Sequence, residues 1–415
     1  MNLGNASRQA AQASLVLVFF AFPMSVALAN VALLLTLVFW AAGLGWADAR
    51  LRLLEAIRNP LVLPAVALFG WIVLAAAWTP ASPSGVLGFI QKYLKFLLVP
   101  VFIALLHDAP VRRRCWQAFA LAMAFTLAVT WLNVWFDFGW TRTQNQGFGV
   151  DHTVFKDYIS QGLMMTLFTL MAGLIAITAT KPTVRWSAAM VWFMASLSIL
   201  LLSAGRTGYI AWAAATIAFA VTLAATRSTR TVLATVVGVA AVVGLSYTAS
   251  PVLQQRLFTA WSEAQTVEHD AANGVVTSAG ARIEMTEFTL QGTLDAPLLG
   301  HGTAAYPVLA ARHFTDPAWC SVVCPHPHNQ FLFFLYEQGV VGLALFLWFA
   351  GAIVREALRH EPGRRAFALA FVAALSVVSL SHSSFWLSTE SHCLVLMSAL
   401  VMAGLHRRRE AGRTG

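Results

Sequence analysis

Twelve apolar runs, each near the length that crosses a bilayer, leave this chain few ways to fold. They cover residues 15–28, 29–45, 61–78, 86–106, 115–136, 159–179, 186–202, 209–225, 232–247, 331–353, 366–380 and 392–405. Crossing a hydrocarbon core takes about 20 apolar residues, and some runs are shorter or carry Pro23, Pro64 or Pro100. Lipid tolerates such breaks only where protein or a cavity satisfies the freed backbone groups. The runs are continuous and lack the in-out alternation of barrel strands. Charged residues are 11% of the chain, against roughly 25% in soluble domains, which excludes a soluble fold. The expected fold is an all-α polytopic membrane protein with about 12 transmembrane helices.

Charge sets the expected orientation. With both termini inside, the inner loops gather Arg50, Arg52 and Arg58; Arg112, Arg113 and Arg114; Arg355, Arg359, Arg364 and Arg365; and Arg407, Arg408, Arg409 and Arg413. The reverse orientation places this excess outside, against the positive-inside bias. The net charge of +9 then follows from topology, and its scatter over short loops gives no nucleic-acid footprint. Arg8 precedes the first run and no small-residue cleavage site follows, so that run is read as a retained helix. The outer face receives loops 137–158 and 248–330. The chain divides into helices 1–9 (1–247), a large outer loop with helical stretches near 251–267 and 281–290 (248–330), and helices 10–12 with a basic tail (331–415).

Rare polar residues sit at this outer face. His326 and His328, in HPHNQFL, close the large loop and open the next apolar helix. Imidazole titrates near neutral pH, so a histidine there can take a proton from a hydroxyl; it can equally cap a helix or bind water. Asn329 and Gln330 follow at the helix start, where their amides can orient an imidazole ring. Arg206 lies in SAGRTGY, a short turn between two apolar runs, where an arginine is costly unless it snorkels or meets an anion. Thr207 and Tyr209 add hydroxyls, and Gly205 and Gly208 permit close backbone approach. Arg282 shares a probable helix with Glu284 that ends near Gly292, and an internal Arg–Glu pair there needs no function. His301 follows between Gly300 and Gly302 as a candidate supporting residue. Lys92 and Lys95, three apart, share a helix face, where snorkelling and ligand binding fit equally well.

Cys320 and Cys324 form CSVVC just before these histidines. In an oxidising compartment they either close a local disulfide or stay free thiols, since this spacing needs a bent backbone to bring the Cα atoms within about 4.4–6.8 Å. Zinc held by Cys320, Cys324, His326 and His328 departs from the two-pair spacing of structural zinc.

In order, SAGRTGY, RIEMTEF…LLGHG and HPHNQFL resemble the O-antigen ligase and polymerase superfamily of bacterial inner-membrane glycosyltransferases. The resemblance is specific over about 201–351; elsewhere it rests on hydropathy. It implies transfer of a glycan from an undecaprenyl diphosphate carrier to an acceptor on the periplasmic side, without metal, cofactor or nucleotide sugar. By position it implies Arg206 and Arg282 as diphosphate ligands, with Thr207, Tyr209, Lys92 and Lys95 as further candidates. His328 is the implied essential histidine, with His326, Asn329 and His301 in support; the motif also admits His326 in the essential role. Ligation of O-antigen to lipid A-core is the first expectation, ahead of O-antigen polymerisation and glycan transfer to protein. A lipid-linked glycan flippase is the rival of another class, but its polar groups belong along a midplane path, not at one face.

Overall fold

Prolines and small polar caps cut the apolar sequence into helices. The computed structural model describes residues 3–44, 47–142, 150–225, 251–266 and 277–411, with scattered residues between 230 and 248. Described regular elements are all helical: α1 (Leu3–Ala21), α2 (Val26–Gly43), α3 (Ala47–Ile57), α4 (Val62–Leu74, extended by a 3-10 turn at Ala75–Ala77), α5 (Pro83–Leu97), α6 (Val99–Leu105), α7 (Ala109–Leu132), α8 (Tyr158–Thr178), α9 (Pro182–Leu202) and α10 (Arg206–Ala224). In the large loop lie α11 (Pro251–Gln265), α12 (Ser278–Asp295), α13 (Ala305–His313) and α14 (Pro317–Val323). The chain closes with α15 (Gln330–Ala357), α16 (Pro362–Ser381) and α17 (Ser388–Ala411). Proline opens α5, α7, α9, α14 and α16, where its missing N–H costs nothing.

Among the described residues nine helices are long and apolar enough to cross a membrane: α2, α5 with α6 as one broken span, α7, α8, α9, α10, α15, α16 and α17 up to Leu405. The pair α3–α4, bent by 85°, makes a tenth if counted as one. The run at 15–28 is not a single helix. Pro23 follows the end of α1, and Ser25 starts α2 by accepting from the Leu28 N–H at 3.2 Å, so the apolar residues are shared by two helices packed on each other. The run at 232–247 lies largely outside the described residues. The last span starts before position 392, at Ser388.

Two sets of contacts define two faces. On one, Arg52 pairs with Asp108 at 3.0 Å and Asn59 reaches the Met402 carbonyl. On the other, the turn before α10, the segment before α8, the large loop and the α16–α17 turn meet: the His152 N–H donates to Leu202, and the Phe385 N–H donates to Gln330 Oε1 at 2.8 Å. Small residues let helices close up here. A Cβ on Gly162 would lie 3.0 Å from the Gly208 Cα, and one on Gly205 would lie 2.8 Å from the Tyr158 ring, so α10 packs tightly on α8.

The large loop is anchored by a break in α15. Gly339 adopts φ 65°, and the carbonyls freed in the turn before it accept from the loop: the His301 N–H donates to Tyr336 at 3.0 Å and the Gly302 N–H to Glu337 at 2.9 Å. In return the Val340 N–H donates to Pro297 at 2.9 Å. Gly300 and Gly302 carry positive φ of 70° and 97°; a Cβ on Gly300 would lie 2.4 Å from the Glu337 carbonyl carbon. Thr303 donates to the Ile72 carbonyl and accepts from Gln338 Nε2 at 3.0 Å, while Trp78 Nε1 donates to Gly300 at 3.1 Å. The broken helix keeps its polar backbone groups paired, as a hydrocarbon layer demands.

Gly339→Ala should therefore be costly. Its Cβ would sit 2.1 Å from the Leu298 carbonyl oxygen at a positive φ, where backbone strain alone is worth roughly 1–3 kcal/mol. A detergent melt should show Tm lowered by several degrees, whereas Gly351→Ala, whose Cβ meets nothing within 4 Å, should leave it no lower. Equal melting of the two variants contradicts the anchoring role.

Candidate active site

Arg206 is the first residue of α10, immediately after the 203–205 turn that reverses the chain. Its Nη2 donates to Ser278 Oγ at 3.3 Å, across to the start of α12, and lies 4.0 Å from Glu263 Oε2 on α11. Arg282, one turn into α12, is half-buried, and it makes no hydrogen bond or ion pair among the described residues, so the functionless alternative of a pair with Glu284 is not what is seen there. Burial lowers its pKa and the charge of Arg206 lowers it further, against the partial relief of Tyr158 and Glu263. Arg282 thus stands beside a second cation and without a hydrogen-bond or ion-pair partner among the described residues, an arrangement whose charge suits an anion.

His326 and His328 sit opposite in the extended segment before α15. Asn329 caps that helix, its Oδ1 accepting from the Phe331 and Leu332 N–H groups at 3.0 and 3.1 Å. His328 has φ 49°, a left-handed conformation that non-glycine residues rarely adopt and that clusters at functional sites. Its backbone N–H reaches His326 Nδ1 at 3.4 Å, and its own Nδ1 is buried without a partner. The two rings are 4.2 Å apart between centroids. Burial pushes His326 down to about 2, helped by His328, His382 and Lys92. It pushes His328 down to about 3, helped by His382 and Arg282. Burial thus favours the neutral form of both rings, and the charge of Arg282 adds to that effect on His328.

The other residues singled out in the sequence take definite places. Lys92 lies over the Trp386 ring at 3.2 Å, and Trp386 packs on His326 at 4.7 Å, so Lys92 borders the site. Lys95 is buried one turn further along α5. Thr207 is buried at the α8–α10 contact. The Tyr209 hydroxyl donates to the Ser203 carbonyl and so ties the turn together. His301 turns away from the cluster: its Nε2 lies 2.8 Å from the Gly292 carbonyl and its ring 4.6 Å from Tyr336, in the loop anchor. Gln330 braces the helix start, with its Oε1 on Phe385 and its Nε2 3.4 Å from the Tyr93 hydroxyl. Cys320 and Cys324 are joined in a disulfide with Cα atoms 4.8 Å apart, so neither sulfur is a zinc ligand.

Sequence reasoning missed the α16–α17 turn. His382 lies beside His328, with ring centroids 5.2 Å apart and planes 25° from parallel, and its Nδ1 is 2.9 and 3.0 Å from the two oxygens of Glu390. Ser160 Oγ bridges Glu390 at 3.0 Å and Asp157 at 2.9 Å. Burial opposes a charge on His382, yet Glu390 and then Asp157 raise its pKa above the ordinary value. The signal was present: SHSSFWLSTESH, 381–392, is a polar and aromatic stretch on the expected outer face, holding two histidines and a glutamate.

His326, His328 and His382 are the described residues' one three-member group of metal-binding type, with ligand atoms up to 4.8 Å apart.

Residues 189–347 match the model of a family described as O-antigen ligase, an interval that contains Arg206, Arg282, His326 and His328 and ends before His382. The match supports placing the chain in the O-antigen ligase and polymerase superfamily, in agreement with the motif resemblance, and it implies lipid-linked glycan substrates. No curated protein matches the chain.

Inorganic pyrophosphate is the simplest probe of the arginine pair. A charge-assisted hydrogen bond is worth about 1.5–3 kcal/mol, so loss of the planar guanidinium in Arg206→Lys or Arg282→Lys should weaken pyrophosphate binding by roughly tenfold or more, with Tm unchanged. Wild-type affinity in both variants would reject the anion site.

Proposed function

We propose that this protein transfers O-antigen polysaccharide from undecaprenyl diphosphate to lipid A-core at the periplasmic face of the inner membrane. The observation that carries this reading is Arg282, half-buried without a hydrogen bond or ion pair among the described residues, beside the charge of Arg206 and itself acting on His328. Arg206 and Arg282 hold the donor diphosphate. His328 takes the proton of an acceptor hydroxyl, whose oxygen attacks the anomeric carbon from the side opposite the diphosphate. The bond from that carbon to the phosphate oxygen breaks, the electron pair leaves with undecaprenyl diphosphate, and the configuration inverts. The two guanidiniums stabilise the negative charge that grows on the leaving diphosphate. The apolar carrier stays in lipid while the sugar reaches His328, and the shared depth of the groups supplies the proximity such a step needs. No cofactor is part of this mechanism.

The test is reconstitution. Purified full-length protein given lipid-linked glycan and lipid A-core should produce glycan-extended lipopolysaccharide. Longer lipid-linked glycan in place of that product would make the protein a polymerase, and movement of donor between leaflets without transfer would make it a flippase. In the same assay His328→Ala should lose about a hundred- to ten-thousandfold in rate while still binding donor, because the arginines hold the diphosphate independently. His326→Ala should retain measurable transfer. An active His328→Ala, or one that has also lost donor binding, overturns the base assignment.

A further inference from the structure

The ring of His328 makes no hydrogen bond among the described residues; its contacts are the rings of His326 and His382. Something must nevertheless hold a catalytic imidazole in one orientation, and the best-anchored neighbour is His382. Glu390 is 1% exposed, and a carboxylate so buried is retained only when paired. It contacts His382 with both oxygens and takes a third contact from Ser160. The set joins three helices, since His382 ends α16, Glu390 lies in the first turn of α17, and Ser160 with Asp157 begins α8. All three converge on a loop residue in strained backbone.

We propose that His382, clamped by Glu390, is the positioning residue for His328: the stacked pair fixes the His328 ring and keeps its proton-accepting nitrogen free until donor and acceptor are bound. This rests on His328 being the base. The Nδ1–H of His382 donates to Glu390, and the pair as an imidazolium carboxylate has its positive ring against His328. A cation there opposes protonation of His328, as does Arg282 from α12; His326 packs on the same ring, and Lys92 from α5 acts on His326. Glu390 and Asp157 favour the His382 cation, and Arg282 opposes it. The donor diphosphate adds negative charge beside Arg282 and so returns basicity to His328 only once donor is in place. The acceptor proton then passes to His328, while His382 keeps its own and Glu390 stays a carboxylate.

The test compares His382→Gln and Glu390→Gln in full-length protein with lipid-linked glycan and the acceptor that wild type uses. A catalytic group displaced by about 1 Å loses of order a hundredfold in rate, so kcat should fall by that order in both while donor affinity stays within about twofold. Removing the His382 cation lets His328 protonate more easily, so the acid limb of kcat in His382→Gln should move to higher pH, which a merely structural residue does not cause. Glu390→Asp, which keeps the charge, should recover part of the rate. Ser160→Ala, which removes only the bridging hydroxyl, should give a smaller loss of the same kind and serves if the first variants do not fold. Wild-type kcat with an unmoved acid limb overturns the proposal while leaving the base assignment intact, provided His328→Ala is inactive. An active His328→Ala removes its premise instead. Loss of wild-type turnover on chelation, restored by zinc, also overturns it, because the three imidazoles would then be ligands.

Discussion

The structure depends on a backbone exchange at the break in α15. Gly339 takes a left-handed turn, the carbonyls of Tyr336 and Glu337 lose their helical donors, and the N–H groups of His301 and Gly302 replace them. Inside a bilayer an unpaired carbonyl costs several kcal/mol, so break and loop stabilise each other or fail together. The consequence is positional. The exchange fixes the end of α12, which carries Arg282, against the helix whose first turn follows His328, and the disulfide between Cys320 and Cys324 tethers the intervening strip. An anion-binding arginine and a histidine distant in sequence thus share a rigid frame.

Charge inside this frame follows from the low dielectric. Burial disfavours a charge on His326 and His328, and the charges of Lys92 on His326 and of Arg282 on His328 act in the same direction. A site with surplus positive charge and neutral imidazoles is unfavourable while empty. In the proposed reaction a lipid diphosphate would relieve the surplus, which would couple donor binding electrostatically to the basicity of His328. Glu390, buried on this side, is already committed to His382 and Ser160.

Much of the fold was legible because membrane helices announce themselves by length, and the positions of Arg206, Arg282 and His328 were legible because polar residues at one bilayer face are few. Other features were not. Pro23 and Ser25 divide one apolar run between two helices, a local capping event that hydropathy averages away. Gly205 and Gly208 suggested approach to a phosphate, but they answer to packing against Tyr158 and Gly162, contacts made over a distance no single segment reveals. His301 looked like a candidate for chemistry because it lies in a glycine-flanked motif, and those glycines prove to serve the loop anchor. His382 and Glu390 were hidden because residues 381–391 read as a short connection between two spans; only the folded chain shows His382 beside His328, with Glu390 on His382.

The central claim is that one compartment holds the donor diphosphate between Arg206 and Arg282, with the His328 ring facing the sugar. A structure of the protein with undecaprenyl diphosphate-linked glycan bound tests it most directly. The account predicts diphosphate oxygens about 2.7–2.9 Å from both guanidiniums and the first sugar directed at His328. A diphosphate bound away from Arg282, or a sugar facing away from the histidine cluster, would contradict it.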